Sequence, residues 1–194
     1  MIAIGPFRIG KYIFYEKENN GYPDCTIDLN VKLLRTTEQI VHGNLQVDIE
    51  TMSQLLGKNV SLFVYFENGK PLGMMCGCKG SCYIRGPGIP LIQSDDTVYW
   101  FWIYTLPEAR GKNVYTKLKH AFFSFYRDAT HFSALVDPDN TIMCSEMHKL
   151  GFVPTRLYSY RKLFTISLLT KKNVLSSIVM HSLEIGNRHN LLVI

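Results

Sequence analysis

An α/β (α+β) fold is predicted by the order in which strand-like and helix-like patterns follow one another along the chain. The segment Thr97–Thr105 is a continuous apolar and aromatic run, which is typical of a central strand covered on both faces. Apolar residues then recur at helical spacing over residues 112–128, and a short apolar run at 132–136 predicts another strand. This alternation favours a sheet with helices packed against it.

The first half of the chain predicts further strands and one helix. Residues 7–16 and 60–66 have strand character, and Asn68-Gly69 predicts a hairpin turn that returns as a strand over 71–78. Residues 48–56 have apolar positions at helical spacing and are followed by Gly57, which predicts a helix ending there.

The second half of the chain predicts a long loop, a helix, a strand and a tail. Residues 80–96 contain several glycines and prolines and predict a loop or lid. Met143, Met147 and Leu150 mark a second helix, for which Gly151 is the stop signal. Residues 153–164 predict one long strand or a strand pair. The tail, 165–194, predicts a short amphipathic helix at 174–179 that packs on the domain 1–164 or on a second subunit, so a homodimer stays open.

Composition and charge exclude several classes of protein. A chain of 194 residues with 46% apolar and 19% charged residues is typical of one globular domain. The net charge of +5 comes without a dense basic run, so no nucleic-acid partner is predicted. No apolar run approaches the about 20 residues of a membrane span, and residues 1–10 lack a signal-peptide layout. Five cysteines, an odd number, favour a reducing compartment, and a cytoplasmic location is expected.

Three cysteines are close together in the sequence but do not predict a metal site. Cys76, Cys78 and Cys82 have C-x-C-x3-C spacing, whereas structural zinc usually shows paired C-x2-C spacing and four ligands. A strand with two small residues on one face explains Cys76 and Cys78 better than a metal site does. The sequence therefore predicts a strand here and no metal.

A phosphate-binding site is predicted at the turn between Thr97–Thr105 and the helix that follows. Pro107 and then Arg110-Gly111-Lys112 come directly before the helix-period segment. Backbone N–H groups and the positive end of a helix would meet two cationic side chains at one place. That arrangement suits a phosphate-bearing ligand.

Two motifs in this region resemble the GNAT superfamily of acyl-CoA N-acyltransferases. The segment Ile103-Tyr-Thr-Leu-Pro-Glu-Ala-Arg-Gly-Lys112 looks like motif A, and Asn140 followed by Lys149-Leu-Gly-Phe152 looks like motif B. The resemblance covers roughly residues 60–164 and implies a mixed, splayed central sheet flanked by helices. It also implies that acetyl-CoA or another acyl-CoA is the co-substrate.

The resemblance implies which residues hold that co-substrate. The pantetheine arm would bond to the backbone of the central strand, and the pyrophosphate would lie on the loop and helix start. The arm would also pass close to Asn140, which is placed to cap the second helix. The implied cofactor-binding residues are Ile103, Tyr104, Thr105, Arg110, Gly111, Lys112, Asn113, Val114, Tyr115 and Asn140.

The sequence departs from the family pattern at three positions. Asn113 and Tyr115 replace small residues of the phosphate-binding loop, although asparagine tolerates left-handed backbone angles better than most residues. Tyr115 would either crowd the pyrophosphate or point outward from the first helical turn. Met147 stands where many members have a tyrosine that protonates the leaving thiolate, and methionine donates no proton.

The predicted activity is transfer of an acetyl group to a primary amine of a small molecule, an amino sugar among the candidates, by direct attack. No catalytic residue is assigned, since Glu108, His131 and Asp137 fit surface or turn-capping roles better than catalysis. Cys144 has no evident histidine partner and fits a structural role. The alternative is a catalytically silent acyl-CoA-binding or protein-interaction module with the same fold.

Overall fold

The computed structural model describes residues 2–4, 7–23, 26–34, 59–84, 89–163, 166–173, 184–186 and 191–193. The chain divides into two compact units. The first comprises residues 1–17, 81–93 and 133–194, and the second comprises residues 18–80 and 94–132. No helix in the described ranges is both long enough and apolar enough to span a membrane.

The described strands and helices have the following bounds in chain order. The strands are β1 Ile2–Ile4, β2 Phe7–Glu18, β3 Val31–Leu34, β4 Val60–Glu67, β5 Lys70–Lys79, β6 Cys82–Ile84, β7 Ile89–Leu91, β8 Thr97–Thr105, β9 His131–Val136, β10 Val153–Leu163, β11 Ile166–Asn173, β12 Glu184–Gly186 and β13 Leu191–Val193. A short 3-10 helix spans Pro107–Ala109, and the α-helices are α1 Val114–Phe125 and α2 Thr141–Lys149.

The second unit is an antiparallel sheet in the order β8-β5-β4-β3, with α1 packed on β4 and β5. The turn between β4 and β5 is Asn68-Gly69, and both residues have positive φ, 52° and 76°. That geometry requires residues tolerant of left-handed angles, which explains the Asn-Gly pair. The predicted hairpin is therefore confirmed.

The core of the second unit is aromatic. Phe122 of α1 lies 5.9 Å from the ring of Phe63 on β4 and 5.6 Å from Trp100 on β8, measured between ring centroids. Leu118 and Phe122 are fully buried and lie four residues apart, which places them on one face of α1. This face holds the helix against the sheet and so places the start of the helix beside the end of β8.

The burial of β8 is not uniform along its length. Val98, Tyr99 and Trp100 are buried, but the residues from Phe101 to Thr105 are only half-buried. The expectation of a strand covered on both faces throughout is therefore wrong for its second half. Apolar and aromatic side chains remain partly accessible there.

The first unit is built on β10, which pairs antiparallel with both β2 and β11. Strand β13 pairs parallel to β11 and antiparallel to β12, so the described strands of the tail join this sheet. The tail segment that was expected to form a helix, 174–179, lies outside the described residues. So does the helix expected at 48–56.

Helix α2 ends as the sequence predicts. The N–H of Phe152 donates to Met147 O at 2.9 Å, and the N–H of Gly151 donates to His148 O at 3.0 Å. Gly151 has φ 79°, a left-handed angle that closes this Schellman turn at little steric cost.

The long loop expected at 80–96 is only partly a loop. Strands β6 and β7 pair antiparallel as a small hairpin, with Pro90 inside β7. Each strand is only three residues long, and proline normally argues against a strand, so the pattern gave no strand signal. An isolated two-stranded hairpin leaves one edge of each strand unpaired by its partner, which is where proline is tolerated.

Candidate functional site

A β-bulge interrupts the pairing of β8 with β5. Tyr104 pairs with Met74 and Phe101 pairs with Cys76, so two residues of β8 stand opposite one residue of β5. The extra residue lies at Trp102-Ile103, and Trp102 has φ 46°, which bulky residues rarely adopt. Bulges and strained backbones are over-represented next to functional sites because they redirect a strand and interrupt its ladder.

The bulge coincides with the residues expected to contact the pantetheine arm. Ile103 has no register partner on β5, whereas Tyr104 and Thr105 resume the pairing with Met74 and Gly73. All three belong to the half-buried end of β8. The second unit therefore presents partly accessible residues at this end of the strand.

The loop after β8 is a tight, internally bonded turn. The N–H of Arg110 donates to Pro107 O at 3.2 Å, and the N–H of Lys112 donates to Ala109 O at 3.3 Å. Gly111 has φ 81°. Since these two N–H groups are used inside the loop, Arg110 and Lys112 offer a ligand their side chains.

Asn113 is the N-cap residue of helix α1, and its side chain does not cap the helix. Asn113 is left-handed, with φ 59° and ψ 19°, and its side chain makes no capping hydrogen bond. The first helical hydrogen bond runs from the N–H of Lys117 to Asn113 O at 3.1 Å. N–H groups in the first turn have no acceptor within a helix, so an anion can bind there. The expectation that Asn113 keeps the turn through a left-handed angle is confirmed.

Two lysines near the start of α1 are already paired with carboxylates. Lys112 Nζ lies 3.0 Å from Glu67 Oε2, and Lys117 Nζ lies 2.9 Å from Asp28 Oδ2. Lys117 also donates to Tyr65 Oη at 3.0 Å, and this bond together with Asp28 raises the pKa of Lys117.

Arg110 is the loop cation that the described contacts leave available. Its side chain is exposed, and within the described residues it forms no ion pair. The sequence gave Arg110 and Lys112 the same role, but the structure distinguishes them. Among the described residues no carboxylate pairs with Arg110, whereas Glu67 offsets the charge of Lys112.

Tyr115 packs toward the sheet. Its ring lies 6.4 Å from that of Trp100 at an interplanar angle of 17°, and Lys119 Nζ lies 5.1 Å from its ring centroid. The side chain is half-buried by these contacts. The larger residue at this family position is therefore accommodated against Trp100.

The motif B residues lie in the first unit, on α2. Asn140 Oδ1 accepts from the N–H of Met143 at 3.1 Å, so Asn140 caps the helix as expected. Met147 is fully buried. The thiol of Cys144 points to Asp137 O at 3.8 Å, and Cys144 is half-buried.

Tyr15 is a buried phenol in the same unit that the sequence did not single out. Burial, and then a hydrogen bond with Cys144, raise the pKa of Tyr15 to about 12. Its ring lies 5.6 Å from that of His148. The proton therefore stays on Tyr15 at neutral pH.

The three residues considered as bases occupy turn or surface positions. Asp137 Oδ1 accepts from the N–H of Asp139 at 3.0 Å, which is a turn-stabilising bond. His131 is exposed, and its Nδ1 lies 2.9 Å from Thr130 Oγ1. Glu108 is exposed in the 3-10 helix. None of these contacts sets the residue apart as a base.

The cysteines of β5 are core residues. Cys76 and Cys78 are buried on the strand that the sequence predicted. Burial raises the pKa of the Cys76 thiol, so this thiol is protonated and unreactive. In the described part of the chain, no group of three or more histidine, cysteine or acidic side chains is placed to hold a metal.

Glu67 and the bulge at Trp102 belong to the site, and the sequence analysis did not find either. Glu67 lies 45 residues before the lysine that it pairs with, at the end of β4. Only the register of β4, β5 and β8 brings it to the loop. The bulge depends on pairing between strands, which leaves no mark in the pattern of β8 alone.

Comparison with known proteins places this geometry in a family. The model of the acetyltransferase (GNAT) family matches residues 31–152, well over half of the chain. Comparison with curated protein sequences gave no match.

Solved structures show the same fold at low sequence identity. An assigned GNAT-family acetyltransferase from Novosphingobium aromaticivorans superposes with a TM-score of 0.58 at 11% identity, over 84% of this chain and 68% of that one. A GCN5-related N-acetyltransferase from Sphaerobacter thermophilus gives a TM-score of 0.52 at 12% identity, over 90% of this chain and 55% of that one. The predicted α/β (α+β) fold with a mixed central sheet flanked by helices is thus confirmed, the observed sheet being mostly antiparallel, and the chain belongs to the GNAT acetyltransferase family.

Proposed function

We propose that this protein transfers an acetyl group from acetyl-CoA to the primary amine of a small molecule. The observation that carries the proposal is the sequence of features at the end of β8. A bulge at Trp102-Ile103, a left-handed Asn113 and an uncapped start of α1 follow one another in one unit, with Arg110 exposed beside them. Family membership supplies the class of reaction, and these features support the proposal that its co-substrate binds at the end of β8.

The residues fit a CoA ester in chemical terms. Strand backbone at Ile103–Thr105 offers hydrogen bonds to the amide groups of pantetheine, and half-buried aromatic side chains offer apolar contact. The N-terminus of α1 and the guanidinium of Arg110 suit the pyrophosphate, since helix N-termini and arginine both favour phosphate oxygens. For Asn140 a role in binding the pantetheine arm is proposed from the family resemblance alone.

The chemistry needs little from an acidic side chain. A neutral amine attacks the thioester carbonyl and an N–C bond forms. The C–S bond then breaks, its electron pair leaves with the thiolate, and the nitrogen gives its proton to water or to that thiolate. Backbone N–H groups near Tyr104 and Thr105 would stabilise the oxygen that becomes negative. A thiol of pKa about 8.5 leaves as thiolate without a proton donor, so the buried Met147 is compatible with turnover.

The acceptor is proposed by class only. The proposed class is small primary amines, and amino sugars are the first of these to test. This choice rests on the family and on no described contact.

The experiment has two arms. Calorimetry measures CoA binding to the purified protein, and a thiol-release assay with mass spectrometry follows acetyl transfer to a panel of small amines and amino sugars. We expect micromolar CoA binding and one acetylated product for each thiol released.

The outcomes separate the candidate functions. CoA binding without thiol release against any amine would favour the catalytically silent acyl-CoA-binding module. Absence of any CoA binding would overturn the assignment of the site.

A further inference from the structure

Two glycines of β5 lie under helix α1, each at a point where a side chain would not fit. A Cβ on Gly73 would lie 2.7 Å from Val114 Cγ1 and 3.0 Å from Tyr104 O. A Cβ on Gly77 would lie 2.6 Å from Phe122 Cε2 and 2.7 Å from Tyr126 Cε2. Carbon atoms in contact normally stand about 3.5–4.0 Å apart, so something must move by roughly 1 Å at either position.

The two glycines differ in what would move. At Gly77 the obstacles are the far edges of two aromatic rings near the C-terminal end of α1. At Gly73 the obstacle is a methyl group of Val114, the first residue of the helix, which is buried. Val114 is buried and its branched side chain is stiff at χ1, so its methyl group has little room to turn away and we expect the helix start to move instead.

Gly73 also bears on the end of β8. Gly73 pairs with Thr105 of β8. The second atom that a Cβ on Gly73 would meet is the backbone oxygen of Tyr104, the residue before Thr105. The N–H of Leu106, at the beginning of the phosphate-binding loop, donates to Leu72 O at 2.9 Å. One position on β5 is therefore in contact with both the strand end and the helix start.

We propose that Gly73 is a positioning residue for acyl-CoA: the absence of a side chain there sets the distance between the end of β8 and the N-terminus of α1. The inference rests on the proposed function, because it assumes that the pantetheine arm and the pyrophosphate bind on those two elements. A displacement of about 1 Å between them lengthens hydrogen bonds on one side of the ligand or on the other.

The test compares Gly73→Ala with Gly77→Ala as a matched control. Both substitutions add one methyl group to a buried glycine of the same strand beneath the same helix. Calorimetry with CoA measures affinity, and thermal unfolding measures stability. We expect G73A to weaken CoA binding at least about tenfold. We expect G77A to lower Tm while CoA affinity stays within about twofold of the wild type.

A second variant tests the mechanism. Val114→Ala removes the methyl group that the new side chain would meet, so G73A/V114A should bind CoA within about threefold of V114A alone. Such coupling between two substitutions is the sign of a direct contact. If G73A does not fold, G73A/V114A should fold again, because the methyl group in the way is gone, and a double variant that also fails to fold would contradict the proposed contact.

The results that overturn the inference differ from those that overturn the function. Equal losses of CoA affinity in G73A and G77A would assign Gly73 a packing role only. The double variant gives a second such result. If G73A lowers the CoA affinity of V114A as much as it lowers that of the wild type, the contact with Val114 is not the cause of the loss. Failure of the wild-type protein to bind CoA would instead overturn the proposed function.

Discussion

Replacement of Arg110 by glutamine should weaken CoA binding far more than the same replacement of Lys112. Both side chains are cations of one loop, and each substitution removes one positive charge. The difference lies in their partners. Lys112 Nζ lies 3.0 Å from Glu67 Oε2, whereas the described contacts of Arg110 include no carboxylate. The opposite charges of Lys112 and Glu67 therefore nearly cancel in their effect on a bound phosphate.

The magnitude follows from the exposure of the site. Two charges about 4 Å apart interact by about 1 kcal/mol in water and about 4 kcal/mol at an effective dielectric constant of 20. A charge-assisted hydrogen bond contributes about 1.5–3 kcal/mol. Arg110 is exposed, so a loss of about 2 kcal/mol is expected for R110Q, which is roughly a 30-fold rise in Kd. For K112Q we expect a change of less than about threefold.

Calorimetric titration with CoA at low and high salt measures these effects. Pantetheine is the control ligand, because it lacks the phosphates and its binding should not respond to R110Q. Glu67→Gln should leave the charge of Lys112 unpaired and so tighten CoA binding at low salt. This gain in affinity should vanish in 1 M salt, where the Debye length is only about 3 Å. Equal losses in R110Q and K112Q would refute the claim that Glu67 neutralises Lys112. Unchanged CoA affinity in both variants would refute the position of the pyrophosphate.

Three further predictions concern the backbone and the stability of the chain. Asn113→Val should lower the free energy of unfolding by about 1–2 kcal/mol, because β-branched residues do not tolerate the left-handed angle of this position. Asn113→Gly tolerates that angle, so calorimetry should show an unchanged CoA affinity. Asn140→Ala should cost about 1 kcal/mol in urea unfolding through loss of the helix cap, and an unchanged midpoint would contradict that role. The hydrogen bond from the backbone N–H of Asn30, and then the contact with Lys117, lower the pKa of Asp28 in the folded protein. The ionised Asp28 carboxylate therefore stabilises the fold above the ordinary pKa of about 3.9, and this stabilisation is lost as the pH falls through the pKa of Asp28 in the folded protein. Asp28→Asn should therefore reduce stability by about 0.5–1 kcal/mol at pH 7 and by progressively less below pH 4, and a pH-independent difference would argue against the ion pair.

The described elements that could be predicted are those whose signals are local. The Asn68-Gly69 turn, the stop at Gly151 and the helical spacing in α1 and α2 each depend on residues within a few positions of one another. The helix boundaries were less accurate. Residues 112–128 were expected and Val114–Phe125 is observed, because Asn113 is left-handed and Tyr126 leaves the helical region.

Strands without a strong pattern were not predicted. Strands β1 and β3 are three and four residues long, too short to show a period. The hairpin of β6 and β7 has no strand pattern in the sequence for the same reason, and because of Pro90. Such strands are stabilised by their partners, which the local sequence does not reveal.

The sequence alone determined the family, and it predicted a phosphate-binding site at the loop around Arg110-Gly111-Lys112, because both inferences depend on residue types at short spacing. Only the tertiary structure decided how the parts of that site differ. It pairs Lys112 with Glu67 across 45 residues, puts the bulge at Trp102, and brings Gly73 against Val114. The physical reason is that charge neutralisation, strand register and close packing depend on distances between residues far apart in the chain, whereas turns, caps and helical periods depend only on near neighbours.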